Sequence, residues 1–227
     1  RNFPSEEASV FLRKIKKKEQ VLLFLEGGDP MTGITLRLLS LVKDKRITVI
    51  YLRPEREIIS PIQKRDDKVI FGVLQEYARS GLFDMFYVID RAKVDDLIGE
   101  TSVQDYENTF SYFVSYVVAM VNFFNNTDPV ISNKPEPTPI DRICTLSVCD
   151  LEEDTISELY DLQDAKYVHF YYGIPEEYED SNIITKVKSH AKRTRADLEH
   201  TTYSVYETTL DKVLVFSQTF TSTIQSL

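Results

Sequence analysis

Residues 20–39 read QVLLFLEGGDPMTGITLRLL, and this stretch carries the strongest fold signal in the chain. The continuous apolar run Gln20 to Glu26 predicts a buried strand. A glycine-containing turn follows at 27–33, and the leucine-rich segment from about Thr32 to Val42 predicts a helix. A strand that leads through a tight turn into a helix is the first half of a parallel β-α-β unit.

The same alternation extends to both sides of this stretch. Ser5, followed by two glutamates, predicts the cap of an earlier helix. Strands are predicted at 46–53 and 83–90, and the apolar stripe between them predicts a helix that ends at Gly81. Strands separated by helices form parallel sheets through right-handed crossovers, so we expect a mostly parallel α/β unit.

The longest helix is predicted from Ser102 to Phe124, and its second half is apolar on nearly every side. A helix of this kind is expected to be buried between two layers. The following segment, Asn125 to Ile140, contains four prolines and is the predicted linker. We therefore expect four parts, at residues 1–101 (first α/β unit), 102–126 (central helix), 127–140 (linker) and 141–227 (second α/β unit).

The second unit is predicted to have the order βαβαββ. Its elements are expected at 142–148 (strand), 152–160 (helix), 166–172 (strand), 180–198 (helix), 202–208 (strand) and 213–220 (strand). The last two strands are close enough in sequence to form an antiparallel hairpin around Thr209 to Asp211.

Composition excludes several classes of protein. The chain has 227 residues, 42% of them hydrophobic, which is enough for a substantial core. The net charge of −9 argues against nucleic acid as a partner, since phosphate binding needs a basic surface. The longest apolar run, Phe110 to Phe124, is shorter than the ~20 residues that span a membrane. Two cysteines cannot build a disulfide scaffold and are typical of a cytoplasmic protein.

The glycine turn is the first candidate for chemistry. Backbone amides between a strand and a helix N-terminus can bind phosphate. Asp29 places a carboxylate where an anion would lie, Pro30 removes an amide donor, and Met31 replaces a small residue. A plain structural turn and a phosphate contact both remain open.

The other reactive side chains do not form a recognisable catalytic or metal-binding set. His169 is expected in the core, and His190 and His200 are ten residues apart, a spacing that does not place two ligands on one helix face. Cys144 and Cys149 are predicted on opposite faces of one strand. We expect no metal site and no cysteine nucleophile.

A basic patch stands out in this acidic chain, on the helix predicted at 180–198. Its members are Lys186, Lys188, Lys192, Arg193 and Arg195. It is either a solvated helix face or an electrostatic contact for an acidic neighbour, such as another copy of the chain.

The order of the elements resembles the tubulin/FtsZ superfamily. QVLLFLEGGDPMTGITLRLL is similar to the family's glycine-rich loop with its flanking strand and helix, and Gly27, Gly28, Thr32 and Gly33 match that loop. FDMFYVIDRAKVDDL is similar to a family strand that ends in an isoleucine-aspartate pair. The last 87 residues resemble the family's activation domain, with YVHFYYG as its central strand.

This resemblance implies a GTP or GDP site, in which Gly27, Gly28, Thr32, Gly33 and Asn108 would bind the nucleotide. Asn108 lies where the family reads the guanine edge, although Gln104 replaces the usual aromatic one turn earlier.

Asp128, in Asn126-Thr127-Asp128, matches the first acid of the family's catalytic loop, and the second acid is absent. The family's first glycine loop has no counterpart upstream of Ser5. These departures suit a divergent member, prokaryotic or phage-encoded, that lacks the N-terminal nucleotide-binding loop.

The resemblance implies a tubulin-like structural or assembly protein, part of a filament or scaffold, with weak or lost GTP hydrolysis. Its partners would be further copies of itself or a larger protein assembly. The alternative is a Rossmann-like enzyme or small-ligand binder with its site at the carboxyl ends of the parallel strands, near Glu26 to Gly28 and Arg53 to Glu57.

Overall fold

A computed structural model describes residues 14, 20–30, 32–42, 44–134, 138–152, 155–195 and 197–226. The helix predicted to start at Ser5 lies outside these residues. The chain divides into two compact units. The first contains the residues up to Arg91 together with 138–143 and the C-terminal residues from Ser222, and the second contains 92–137 and 144–221.

The first unit is a parallel α/β structure. Its strands are β1 (Gln20–Glu26), β2 (Arg46–Arg53) and β3 (Met85–Asp90), and its helices are α1 (Thr32–Val42) and α2 (Pro61–Arg79). β1 pairs with β2, and β2 with β3, both in parallel. This part of the sequence-based prediction is confirmed.

Helix α2 begins at a well-formed cap. The Ser60 hydroxyl accepts a hydrogen bond from the Gln63 N–H, and the Gln63 side chain accepts one from the Ser60 N–H. Pro61 follows at the first helical position, where its missing N–H has no cost. The buried face of α2 carries Phe71, which lies with its ring centroid 5.5 Å from that of Tyr51 on β2. These aromatic rings form part of the core of the first unit.

The second unit is a mixed α/β structure. Its elements are α3 (Arg91–Ile98), α4 (Tyr106–Asn126), β4 (Ile143–Cys149), β5 (Ile156–Glu158), β6 (Tyr167–Pro175), α5 (Ile183–Arg193), β7 (His200–Thr208) and β8 (Leu214–Thr221). The strands lie in the order β5-β4-β8-β6-β7. β6 is parallel to β7 and antiparallel to β8, and β4 is antiparallel to β5.

Two predictions for this unit are wrong. The helix predicted at 152–160 is replaced by the short strand β5, whose Ser157 pairs with Val148. The predicted hairpin of β7 and β8 does not form, because β6 lies between these strands and pairs with both. The described residues of this unit therefore contain one helix after its first strand, where the predicted order βαβαββ has two.

The long helix is confirmed as α4, but it is not buried on every side. The buried residues follow one stripe: Phe110, Val114, Val117, Val121 and Phe124. The opposite side carries small and polar residues and is exposed, as is Tyr112 at 76%. An amphipathic stripe of this width packs one face of a helix against a sheet. Helix α4 belongs to the second unit.

The predicted linker is partly ordered by pairing. After α4 ends at Asn126, the N–H groups of Val130 and Ile131 donate to the carbonyl of Val205 on β7. Ile131 packs against the core of the second unit. No helix in the described residues is long and apolar enough to span a membrane.

Candidate functional site

The glycine turn lies at the carboxyl end of β1 and is held by its own hydrogen bonds. The Gly27 N–H donates to the Leu52 carbonyl at 2.8 Å and extends the β1–β2 pairing into the turn. The Thr32 hydroxyl donates to the Glu26 carbonyl at 2.5 Å, and the Thr32 N–H donates to the Asp29 carbonyl at 3.0 Å. Three donors of the turn are thus already used inside the protein.

A buried polar cluster, formed by Tyr51, Arg53 and Asp67, lies beneath this turn. The Tyr51 hydroxyl donates to Asp67 Oδ1 at 2.9 Å, and Arg53 Nη2 donates to Asp67 Oδ2 at 3.1 Å. The Asp67 side chain is fully buried and that of Arg53 is 7% exposed. The guanidinium also lies 4.3 Å from the ring centroid of Phe71. A buried charge pair of this kind is sensitive to the loss of either partner.

The protonation of Tyr51 is fixed by its surroundings. Burial, followed by the charge and hydrogen bond of Asp67, raises the pKa of the Tyr51 hydroxyl far above its usual value. The phenol therefore stays protonated and acts as a hydrogen-bond donor to Asp67 under all ordinary conditions. This donor is a constant feature of the cluster.

Close packing requires the glycine at position 27, and backbone conformation favours the one at position 28. A Cβ at Gly27 would overlap the Asp67 carboxylate and would lie 2.7 Å from both Tyr51 Oη and Pro54 Cδ. Gly28 has a φ of 76°, in the left-handed region that favours glycine. The turn therefore rests directly on the polar cluster and on the first turns of α2.

The glycine turn has a limited capacity to bind an anion such as phosphate. Gly33 is exposed, and nothing lies within 4 Å of the position of a Cβ there, so its backbone is open to solvent. The side chain of Asp29 is exposed beside the start of α1, where a carboxylate already compensates the positive end of the helix. An anion at this helix start would meet the like charge of Asp29.

The carboxyl ends of the strands in the first unit carry a second charge pair. Arg91 Nη1 lies 3.0 Å from Glu26 Oε1. Arg53, which the Rossmann-like alternative placed in a ligand site, is buried and bound to Asp67. Its guanidinium therefore holds the Asp67 carboxylate, against which Gly27 of the turn packs.

The remaining residues proposed for the nucleotide site lie on α4 and just beyond it. Asn108 is exposed in the first turn of α4. Asp128 follows the end of α4, is 97% exposed and lies 3.0 Å from Lys134 Nζ. The rise of an α-helix separates Asn108 from Asn126 by about 27 Å. The structure therefore does not bring Asn108 and Asp128 together within one copy of the chain.

The histidine and cysteine side chains have structural partners. His169 is confirmed as a core residue, and its ring nitrogens bind the hydroxyls of Thr202 and Ser204 at 2.7 and 2.8 Å. Burial lowers the pKa of His169 to about 3 and raises the pKa of Cys149 to about 12. A thiol with so high a pKa is not a nucleophile. The described residues contain no group of three or more potential metal ligands.

The predicted basic patch is smaller than expected. Lys186, Lys188, Lys192 and Arg193 are exposed on α5, and Lys186 Nζ lies 2.9 Å from the Asp180 carboxylate. Arg195 lies beyond the end of α5, is 15% exposed, and binds the Glu158 carboxylate. Its inclusion in an exposed patch was wrong, because the helix ends at Arg193 and the chain turns Arg195 toward β5.

The polar cluster was not predicted from the sequence, although one signal for it exists. Asp67 is four residues before Phe71 and seven before Leu74, so it shares their face of α2. A carboxylate on the core face of an amphipathic helix needs a buried partner. Arg53, at the end of a buried strand, is that partner.

The architecture is that of the tubulin/FtsZ fold. A TubZ protofilament in the GTPγS form from Bacillus thuringiensis serovar israelensis matches with a TM-score of 0.59 and 15% identity over 90% of this chain. The helical model of a two-stranded TubZ-Bt filament matches with a TM-score of 0.61 and 13% identity over 96% of it. An FtsZ W319Y mutant from M. jannaschii matches with a TM-score of 0.64 and 12% identity, also over 96%.

These matches concern the fold alone, since all three identities are low. No protein-family model and no curated protein matches the chain by sequence. The chain spans 60% and 64% of the length of the two TubZ chains and 68% of the FtsZ chain.

Proposed function

We propose that this protein is a tubulin-like assembly subunit, a component of a filament or scaffold, in which GTP hydrolysis is weak or lost. The observation that carries the proposal is the tubulin/FtsZ fold, shared with structures of TubZ protofilaments and filaments. The intended partner is another copy of the chain or a larger protein assembly, in the cytoplasm. GTP or GDP is the nucleotide that this proposal implies.

The proposal assigns roles to the parts of the chain. Residues 1–101 would act as a partial nucleotide-binding unit, with Gly27, Gly28, Thr32 and Gly33 at the phosphates. Asn108, on the central helix at 102–126, would lie at the base. Residues 141–227 would act as an activation-domain-like unit. Asp128, at the far end of α4 from Asn108, would reach a nucleotide only on a neighbouring copy. This separation supports an activity that depends on assembly.

The hydrogen bonds of the glycine turn support the proposal that GTP hydrolysis is weak. The N–H groups of Gly27 and Thr32 and the Thr32 hydroxyl are bound within the protein. Stabilisation of a transferring phosphoryl group depends on donors that are aimed at it in advance. A turn with these donors already bound, and with the Asp29 carboxylate beside it, is poorly suited to this task.

The test combines nucleotide content, sedimentation and phosphate release on the purified protein. We expect sedimentation that rises with protein concentration and changes little between GTP, GDP and no nucleotide, and phosphate release near background. Asp128→Ala is the informative variant, and Asp211→Ala, at another exposed acid, is its matched control.

Two results would contradict the proposal. Monodisperse monomer at every concentration, with and without GTP, would rule out the assembly role. GTP turnover that is lost in Asp128→Ala and retained in Asp211→Ala would rule out weak or lost hydrolysis.

A further inference from the structure

An open cleft of about 740 Å³ lies within the second unit. One side is formed by α3, through Lys93, Asp96 and Leu97. The other side is formed by β5, through Ile156, Ser157 and Glu158. A helix face and a strand thus line the same groove.

The edge of β5 faces this groove. Successive side chains of a strand point to opposite faces of the sheet, so a cleft on one face would contact only alternate residues. All three consecutive residues of β5 line the cleft. In the described part of the chain β5 pairs with β4 alone, which leaves its other edge open.

The hydrogen-bond pattern identifies the backbone groups at this edge. The Asp150 N–H donates to the Thr155 carbonyl, and the Leu159 N–H donates to the Leu146 carbonyl. Residues alternate between bonded and non-bonded pairs along antiparallel strands. The backbone groups of Ile156 and Glu158 therefore point away from β4, and they have no partner among the described residues. They are spaced correctly to pair with one more strand.

The facing helix supplies side-chain specificity. Lys93, Asp96 and Leu97 have i, i+3 and i+4 spacing and share one face of α3. Leu97 is 37% exposed and, with Ile156, provides apolar surface in the groove. A strand added to β5 would present alternate side chains to this helix face.

The charges of the groove favour a basic ligand. Lys93 Nζ lies 3.0 Å from Asp161, and Arg195 binds Glu158, so these four side chains neutralise one another. Asp96 is exposed and has no ion pair within the described structure. It is the unneutralised carboxylate of the groove, in a chain whose net charge is −9.

We propose that the groove between α3 and β5 binds an extended, lysine- or arginine-bearing segment of a partner protein, which adds to the sheet as a strand antiparallel or parallel to β5. Main-chain pairing with Ile156 and Glu158 gives affinity, and Asp96 selects a basic side chain. This surface is independent of the glycine turn and of any nucleotide.

The probe is a synthetic heptapeptide of alternating valine and lysine, labelled for fluorescence anisotropy. We expect saturable binding to the whole protein, and NMR shift changes of the Ile156 and Glu158 amides. The same peptide with N-methyl groups on one backbone edge should bind at least tenfold more weakly when that edge faces β5, since its donors are removed. A valine-glutamate peptide should not bind measurably.

Asp96→Asn tests the charge selection and Glu100→Gln is its control, because Glu100 is also exposed but does not line the groove. We expect Asp96→Asn to weaken binding of the valine-lysine peptide by about threefold to tenfold. Glu100→Gln should leave it unchanged. The proposal is overturned if no peptide binds, or if peptides that carry N-methyl groups on either backbone edge bind as tightly as the parent. It is also overturned if Asp96→Asn and Glu100→Gln bind the valine-lysine peptide with equal affinity.

Discussion

The side chain of Gln75 binds both backbone groups of Gln225. Gln75 Oε1 accepts a hydrogen bond from the Gln225 N–H at 2.6 Å, and Gln75 Nε2 donates to the Gln225 carbonyl at 3.4 Å. Both residues are 1% exposed and belong to the first unit. The side chain of a helix residue thus provides the hydrogen bonds for two buried backbone groups of the C-terminal segment, as the backbone of a neighbouring strand does in a sheet.

This pair gives the first prediction. Gln75→Ala should lower the free energy of unfolding by about 1–3 kcal/mol, because it removes two hydrogen bonds to buried backbone groups of Gln225. Gln75→Glu should cost at least as much, since the buried carboxylate loses its hydration and one of its oxygens faces the Gln225 carbonyl oxygen. Urea denaturation measures the difference. The exposed neighbour variant Glu76→Ala is the control and should stay within about 0.5 kcal/mol of wild type.

The close packing of the glycine turn gives the second prediction. Gly27→Ala should destabilise the protein by about 1–3 kcal/mol, because the new methyl group meets Asp67, Tyr51 and Pro54 in a packed site. Gly33→Ala is the matched control, since a Cβ there meets nothing within 4 Å. Alanine at Gly33 should be neutral or stabilise by up to about 1 kcal/mol in the helix. Equal melting temperatures for the two variants would contradict the packing described at Gly27.

The buried stripe of α4 gives the third prediction. Val117 is fully buried, so Val117→Asp places an unpaired charge in the core and should unfold the protein or cost several kcal/mol. Ser115→Asp, two residues away on the exposed side of the same helix, should be tolerated. Circular dichroism melts compare them. A stable Val117→Asp protein would mean that the helix face is assigned incorrectly.

The environment of His169 gives the fourth prediction. Its pKa is about 3 in the folded protein and 6.5 in a model peptide, so between these pH values the unfolded chain binds the proton and the folded chain does not. Stability from this residue is complete above pH 6.5 and decreases as the pH falls toward 3, with a slope of up to about 1.4 kcal/mol per pH unit.

The check is a comparison of urea denaturation at several pH values for wild type and His169→Gln. The difference in unfolding free energy between the two proteins should depend on pH in this window. Parallel curves for wild type and His169→Gln would show that His169 carries no such linkage.

The first unit could be predicted from sequence because its signals are local. Apolar runs define β1, β2 and β3, and an apolar stripe that ends at Gly81 defines α2. The fold class followed from the order of these elements. The polar cluster was missed because Asp67 is bonded to residues on another element, and no local pattern pairs it with Arg53.

The errors in the second unit have a common cause in long-range pairing. The acidic run at 150–154 is typical of a helix start, yet Ile156 packs against a core built by distant strands and Glu158 binds Arg195. The short connection between β7 and β8 is typical of a hairpin, yet both strands pair with β6. On α4, the residues between the buried apolar positions form an exposed stripe. The high apolar content of the helix led to the wrong prediction that it is buried on nearly every side.

The position of β8 determines the order in which the protein can finish folding. Among the described residues β8 is the last strand in sequence, yet it lies between β4 and β6. Until Leu214–Thr221 has been synthesised, β4 and β6 each expose an edge that will be internal in the finished sheet. The incomplete second unit therefore has a gap of one strand between β4 and β6. A strand from another protein chain can pair there in place of β8. A stop codon before Leu214 removes β8 together with the Gln225 contact of the first unit, and the truncated protein should aggregate during synthesis.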